Sequence, residues 1–317
     1  MIKNSFRAVF LCLFLRQLKI INQNIKLKNT SISLSIKRED LLHPFVSGNK
    51  FRKLKYNLLE AKKLNHETLI TFGGAYSNHI AASAFACREA GLESIGIIRG
   101  EELIGKIEEN PTLKFAQNCG MKFEFISRTD YQNKTNAIFL SNLTSKYGKH
   151  YLLPEGGTND LAIKGCEEIL TPDDNQFDYI CCAIGTVGTI SGLINSAKPH
   201  QKIIGFPALK GDFLSDDIRK FATNTNWELI SDYHFGGYAN VNQTLISFIN
   251  TFYSDYKIPL DPVYTSKMVF GVLDLIEKEY FPKNSKILMI HTGGLQGIEG
   301  MNLLLEKKKM TKIIFNE

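Results

Sequence analysis

Four short stretches of this chain combine residue types at spacings that can carry chemistry. The first is Lys37-Arg38-Glu39-Asp40-Leu41, followed by Ser47-Gly48-Asn49-Lys50-Phe51-Arg52-Lys53. Lys50 stands just past a Ser-Gly-Asn turn at a helix start, and is poised differently from the solvated lysines further along. Held in a pocket, such a lysine loses its proton and attacks an aldehyde, as Schiff-base lysines do. A capped helix with a solvated lysine face accounts for the same residues. The second stretch is Gly73-Gly74-Ala75-Tyr76-Ser77-Asn78-His79. Ser77 or Asn78 is a natural helix cap there, and free amides at a helix start can hold a carboxylate. Capping alone is the alternative, and His79 reads equally as a satisfied core histidine.

The third stretch, Gly185-Thr186-Val187-Gly188-Thr189, lies between an apolar strand and a helix. Its glycines let the backbone turn amides onto a phosphate, and its threonine hydroxyls add donors. The spacing is not the dinucleotide fingerprint and no lysine follows as in a P-loop, so a lone phosphate monoester fits better than a nucleotide. An idle strand–helix turn is the alternative. The fourth is His291-Thr292-Gly293-Gly294-Leu295, with Tyr264-Thr265 upstream. Thr292 could hydrogen-bond a buried ring nitrogen and Tyr264 could move a proton; taken singly, both pass for core or turn positions.

The elements that must position these residues alternate from Ser31 onward. Strands are predicted at Ser33–Ile36, Thr68–Phe72, Ile95–Ile98, Lys122–Ile126, Leu152–Pro154, Phe177–Ala183, Lys202–Phe206 and Lys286–His291. Helices are predicted from Phe51 to Leu64, from Asn78 to Ala90 with Gly91 as the stop, after Pro111, to about Ile169, and to about Ala197. This alternation implies parallel sheets with helices on both faces, and ligands bound at the carboxyl ends of strands. The Gly-rich turns then ring a pocket with backbone amides.

Composition sets bounds on the rest. A net charge of +6, spread along the chain, suits an anionic cofactor or substrate and does not argue for nucleic acid. Lys307-Lys308-Lys309 reads as a solvated face. Six cysteines without C-x-x-C spacing read as buried small hydrophobes in a reduced compartment, favouring the cytoplasm. Lys3 and Arg7 ahead of the apolar Ala8–Leu15 stretch have the outline of a signal peptide. The closely following Arg16 and Lys19, and the lack of a small-x-small site, fit better a start helix packed on the body or a start codon set too early. No segment has the length of a membrane span. A serine hydrolase is disfavoured because no G-x-S-x-G elbow occurs, and a metal enzyme because His and Cys lack ligand spacing.

In this order, the four stretches resemble the pyridoxal-phosphate (PLP) enzymes of the tryptophan synthase β-subunit fold, fold type II. Within them they most resemble the family of 1-aminocyclopropane-1-carboxylate (ACC) deaminase and D-cysteine desulfhydrase. The resemblance runs from about Lys37 to Gly297 and rests chiefly on Ser-Gly-Asn-Lys, the preceding Lys-Arg-Glu-Asp, and the Ser-Asn-His block. It implies an α/β fold of two open, twisted, mainly parallel sheets flanked by helices. A large PLP-binding domain from residues 1–50 and 159–317 would face a small one from 51–158. It also implies that Lys50 carries the cofactor and then serves as acid and base at the substrate α-carbon. Asn78 would meet the cofactor's phenolic oxygen. Ser77 and His79, with neighbouring amides, would hold the substrate carboxylate. Gly185, Thr186, Val187, Gly188 and Thr189 would bind the phosphate, Thr292 would face the ring nitrogen, and Tyr264 would sit across the ring. A homodimer is usual in the family.

The chain departs from the ACC deaminase pattern at two places. Those enzymes carry Glu after the tyrosine and Leu before the Gly-Gly, where this chain has Thr265 and Thr292. A carboxylate beside the ring nitrogen keeps it protonated and makes the cofactor a strong electron sink; a hydroxyl makes a weaker one. The pattern therefore favours β-elimination, D-cysteine to pyruvate, sulfide and ammonia, over ACC cleavage to 2-oxobutanoate. A non-catalytic binding protein of the same fold is disfavoured because Lys50 and the phosphate turn are both present.

Overall fold

The computed structural model describes residues 20–211 and 214–315. The expectations for the N-terminal stretch, and for Cys12 within it, lie outside the described residues. Two sheets organise the rest. The larger has the strand order β1 (Asn22–Ile25), β2 (Ser33–Lys37), β10 (Lys286–Ile290), β7 (Tyr179–Ile184), β8 (Lys202–Pro207) and β9 (Trp227–Leu229). The smaller runs β5 (Lys122–Ile126), β4 (Glu93–Arg99), β3 (Thr68–Gly73) and β6 (Tyr151–Leu153). Every pairing is parallel except β1 against β2. Parallel strands covered on both faces need near-continuous apolar runs, and the central ones have them: Ile-Cys-Cys-Ala-Ile in β7 and Ile-Leu-Met-Ile in β10 are buried throughout.

Helices cover both faces of each sheet. Around the small sheet lie α1 (Asn49–Lys63), α2 (Asn78–Ala90), α3 (Pro111–Asn118), α4 (Arg128–Gln132) and α5 (Ala137–Tyr147). Around the large one lie α6 (Asp160–Glu167), α7 (Gly188–Ser196), α8 (Leu214–Arg219), α9 (Gln243–Tyr256), α10 (Thr265–Glu277) and α11 (Gly297–Lys307). One face of the large sheet packs Ile36, Cys181 and Met289 under Met268, Val269 and Val272 of α10. The other packs Ile180, Cys182 and Leu288 under Ile190 and Leu193 of α7. Small-sheet residues likewise enter separate cores: Leu69 and Ile98 with α1 and α2, and Ile70, Phe72, Ile95 and Ile97 with Leu143 of α5.

The expected alternation is therefore present, with strand ends shifted by a residue or two. The edge strand β1, Asn-Gln-Asn-Ile, was not expected from its sequence. Its polar side chains carry no strand signal, and it exists because β2 offers an open edge for it to pair with. Lys307, Lys308 and Lys309 are solvent-exposed, as the charge run suggested.

The carboxyl ends of the parallel strands converge. β3 ends at Gly73, β7 runs into Gly185, β10 runs into Thr292-Gly293-Gly294, and β4 ends at Arg99. α1 is held there by a close crossing with α6: a Cβ at Gly165 would lie 2.0 Å from the Arg52 carbonyl oxygen. Only glycine permits that approach.

Candidate active site

Lys50 occupies the second position of α1, the helix that begins where the Ser47-Gly48-Asn49 turn meets β10. Gly48 has φ +59°, and a Cβ there would sit 2.0 Å from the Thr292 carbonyl oxygen. The turn thus demands glycine twice over, for its left-handed backbone and for its contact. Asn49 fastens the same helix start to the next: its Nδ2 donates to Thr189 Oγ1 at 2.9 Å. Behind the turn, Lys37-Arg38-Glu39-Asp40 forms a buried ionic scaffold outside the cavity lining. Arg52 donates twice to Glu39, at 2.8 Å each, and Arg38 twice to Asp40, at 2.9 and 2.8 Å. Lys37 pairs with Asp174 at 2.6 Å, both essentially inaccessible. Such bidentate pairs hold their partners in one geometry.

Lys50 opens into a cavity of about 660 Å³ lined by Ser77, Asn78, His79, Gly185, Thr186, Thr189, Tyr264 and Thr292. Eight of the sequence-predicted site residues thus come together around Lys50. Burial lowers the Lys50 pKa to about 7, helped by the charge of Lys53 and opposed by Cys166. About half of its amine is therefore unprotonated at neutral pH, the form a nucleophile toward an aldehyde requires.

Lys53, one helical turn on, lies 1 % exposed with its Nζ aimed at the Gly/Thr turn. It donates to Thr186 Oγ1 at 3.1 Å, to Gly156 O at 3.1 Å and to Thr158 Oγ1 at 3.2 Å. A Cβ on Gly188 would meet that ammonium at 3.1 Å. A buried cation, hydroxyls and the start of α7 thus converge where no side chain intrudes, a donor set suited to a phosphate. Val187 and Gly188 stand in this turn behind the cavity surface. Sequence reasoning missed Lys53, although its spacing from Lys50 puts both on one helix face.

Ser77 caps α2, its Oγ accepting from Ile80 N at 3.3 Å. Asn78 Oδ1 accepts from Gln296 Nε2, a bond that spans from the small-sheet side to α11 and leaves the Asn78 amide nitrogen toward the cavity wall. His79 is 2 % exposed. Its Nε2 lies 2.7 Å from Thr71 Oγ1 and its Nδ1 3.4 Å from Ser83 Oγ. Burial, with Lys50 and Lys53 nearby, pushes its pKa well below the ordinary histidine value, so the ring is neutral.

Across the cavity Tyr264 faces Tyr238 edge-on, ring centroids 6.1 Å apart. Burial first, then Tyr238, raises the Tyr264 hydroxyl pKa well above its usual value, so it holds its proton at neutral pH. Thr265 does not reach the cavity. It is fully buried and its Oγ donates to Asp261 Oδ2 at 2.6 Å. Asp261 in turn accepts from the backbone N–H of Val263, Tyr264 and Thr265, at 3.0, 2.8 and 2.7 Å. Thr265 thus faces Asp261 and not the ring, contrary to expectation, and of the two departures from the ACC deaminase pattern only Thr292, in place of Leu, lies in the cavity. That residue lines the cavity, and its hydroxyl makes no hydrogen bond among the described residues. Asp261 and Tyr238 were not foreseen either; nothing local in the sequence marks them.

A lysine whose amine is free near neutral pH, set beside a phosphate cradle, is the pairing that an aldehyde-bearing phosphorylated cofactor requires. The profile of the family described as "Pyridoxal-phosphate dependent enzyme" matches residues 15–293. This chain belongs to that family. Among its relatives, a "Putative 1-aminocyclopropane-1-carboxylate deaminase" of Thermotoga maritima is 31% identical over 84% of this chain and 90% of its own length. A "Bifunctional D-cysteine desulfhydrase/1-aminocyclopropane-1-carboxylate deaminase, mitochondrial" of Arabidopsis thaliana is 33% identical over 84% of this chain and 73% of its own. The crystal structure of an "ACC deaminase homologue" superposes with a TM-score of 0.77 at 27% identity, covering 93% of this chain and 98% of the other. The fold is that of the PLP enzymes expected from the four motifs, and PLP is the cofactor of the family. Among the described residues no group of His, Cys, Asp and Glu is arranged to hold a metal ion, and no helix is long and apolar enough to cross a membrane.

Proposed function

We propose that this PLP enzyme is a lyase that converts a small amino acid to a keto acid and ammonia, with D-cysteine desulfhydration as its reaction. The observation that carries the choice is Thr292, which lines the cavity with a neutral hydroxyl where the ACC deaminase pattern has Leu. When bound, the cofactor supplies an electron sink for the carbanion at the substrate α-carbon. The residues divide the remaining work. Lys50 would hold the cofactor through its amine and would take the α-proton of the substrate. Gly185, Thr186, Val187, Gly188, Thr189 and Lys53 hold the phosphate. Asn78 donates to the phenolic oxygen and Thr292 meets the ring nitrogen. Ser77 and the free amides at the start of α2 hold the substrate carboxylate. His79 backs that helix turn, with both ring nitrogens turned to Thr71 and Ser83. Tyr264, which keeps its proton, would donate a hydrogen bond to the departing group.

A neutral ring nitrogen suits a substrate whose β-substituent leaves easily. In D-cysteine the C–S bond breaks with its electron pair on sulfur, and water then releases pyruvate and ammonia. ACC deamination is the second reading, favoured by the name of the Thermotoga relative, while the name of the Arabidopsis relative carries both activities. Purified holoenzyme assayed for keto acid and sulfide is expected to consume D-cysteine well above ACC. Faster turnover of ACC would reverse the choice, and turnover of another D-amino acid alone would replace the substrate while keeping the chemistry.

We propose further that residues 1–50 and 159–317 form one domain and 51–158 the other, with the cavity between. The small sheet's confinement to 68–153 supports that division, while α1 packs on both sides of it. A reduced, cytoplasmic setting is supported by five buried, unbridged cysteines among the described residues. A homodimer is proposed from the family resemblance, and mass measurement in solution tests it.

A further inference from the structure

The charged groups at the cavity mouth sort into pairs with one left over. Arg128 donates to Glu102 at 2.5 Å, and Lys134 lies 3.2 Å from Glu155. Asp261 is saturated by its own backbone turn and by Thr265. Lys50 is committed to the cofactor. Arg99, the last residue of β4, lines the same cavity and has no acidic partner within ion-pair distance among the described residues. Its guanidinium is held over the Tyr131 ring, 5.6 Å from the centroid, and that ring is 2 % exposed and so fixed in place. Arg99 Nη2 is the nearest atom to a Cβ imagined on Gly74, at 3.6 Å. The absent side chain leaves open space beside it.

That space adjoins the proposed carboxylate site across a single turn. Gly74 and Ser77 are the two ends of one turn, closed by Ser77 N donating to Gly74 O at 3.1 Å. The free amides of α2 lie at one end, and Arg99 lies at the other. A planar guanidinium, pre-oriented on an aromatic face and unpaired, is suited to bidentate capture of an oxyanion. We propose that Arg99 is a specificity residue seating an acidic group on the side chain of a bound amino acid, so that small amino acids with two anionic groups bind more tightly than neutral ones. The proposal rests on the amino-acid lyase reading and adds a second anion seat to that site.

Binding is read from the change in bound-cofactor absorbance when holoenzyme is mixed with aspartate or alanine, each as the D- and the L-enantiomer. Neither requires a leaving group, so the measurement is independent of turnover. Half-saturation by aspartate is expected about tenfold below that by alanine of the same hand. Arg99→Leu should bring the ratio to about one, and Arg99→Lys should keep part of it because the charge survives without the fork. Arg99→Gln gives the same comparison should the leucine variant fold poorly. Equal half-saturation in the wild type overturns the proposal. So does an equal loss for both amino acids in the variant, which would assign Arg99 to the α-carboxylate. A protein that turns over D-cysteine or ACC without preferring aspartate loses the Arg99 seat alone. One that responds to no amino acid fails the lyase reading and the seat with it.

Discussion

Lys50 and Lys53 share one face of α1, yet the structure gives them different tasks. Burial brings Lys50 to about 7 and Lys53 to about 8, and Lys53 further depresses its neighbour. An amine captures an aldehyde only when unprotonated, so the rate at which apo-protein takes up PLP should rise with pH to a midpoint near 7. Stopped-flow absorbance across pH measures this; a midpoint near the ordinary lysine value would contradict it. Lys53→Met removes the cationic neighbour and should move that midpoint upward. The same shift bears on folding. With the folded value below the unfolded 10.5, protonation penalises the fold. The penalty is full below about pH 7 and fades as pH rises toward 10.5. Borohydride reduction and peptide mapping should place the pyridoxyl group on Lys50, and Lys50→Ala should show no turnover. Label on Lys53, Lys55 or Lys164 would refute the assignment.

Two helix starts do most of the proposed binding. At α7, Gly188 leaves the space that Lys53, Thr158 and Thr186 surround. Gly188→Asp would fill it with a carboxylate where the phosphate dianion belongs, adding steric block to like-charge repulsion. The variant should be folded by circular dichroism but colourless; normal cofactor content would move the phosphate elsewhere. At α2, Ser77 is both cap and proposed carboxylate ligand. Ser77→Ala should cost about 0.5–1 kcal/mol in denaturant unfolding, the lower part of the capping range, because the bond to Ile80 N is long at 3.3 Å. It should also raise KM in the holoenzyme. A change in stability alone would leave Ser77 a cap and nothing more.

Across the molecule, the cavity is completed where the Gly74–Ser77 turn meets α11. Gln296 bridges to Asn78, and the Tyr76 ring covers Gly300, where a Cβ would lie 2.7 Å from it. Gly300→Val should push that ring aside and shift the turn that carries Ser77 and Asn78. Since small misplacements of positioning groups are costly, kcat/KM should fall on the order of 10²-fold. Thermal melting should stay near wild type, because valine suits a helix better than glycine and Tyr76, 51% exposed, can swing outward. Unchanged kinetics would show that this contact does not position the turn.

Much of the fold was legible locally. Apolar runs of four to six residues marked the buried parallel strands, and Ser77 and Gly91 bounded α2 as capping chemistry demands. The residues lining the cavity were legible where they sit in a Gly-containing turn at a strand end or helix start: Lys50, Ser77, Asn78, Gly185, Thr186, Thr189 and Thr292. Tertiary structure alone decided the rest. It turned Thr265 toward Asp261 and away from the cavity. It brought Lys53 to Thr158 and Thr186, 105 and 133 positions away. It set Tyr238 against Tyr264 and left Arg99 unpaired at the mouth. The physical reason is the same in each case. Turns and strand ends are dictated by the conformational preferences of a few adjacent residues. Which side chain faces a cavity, and with what partner, depends on how two sheets stack their carboxyl ends together, and no local preference encodes that.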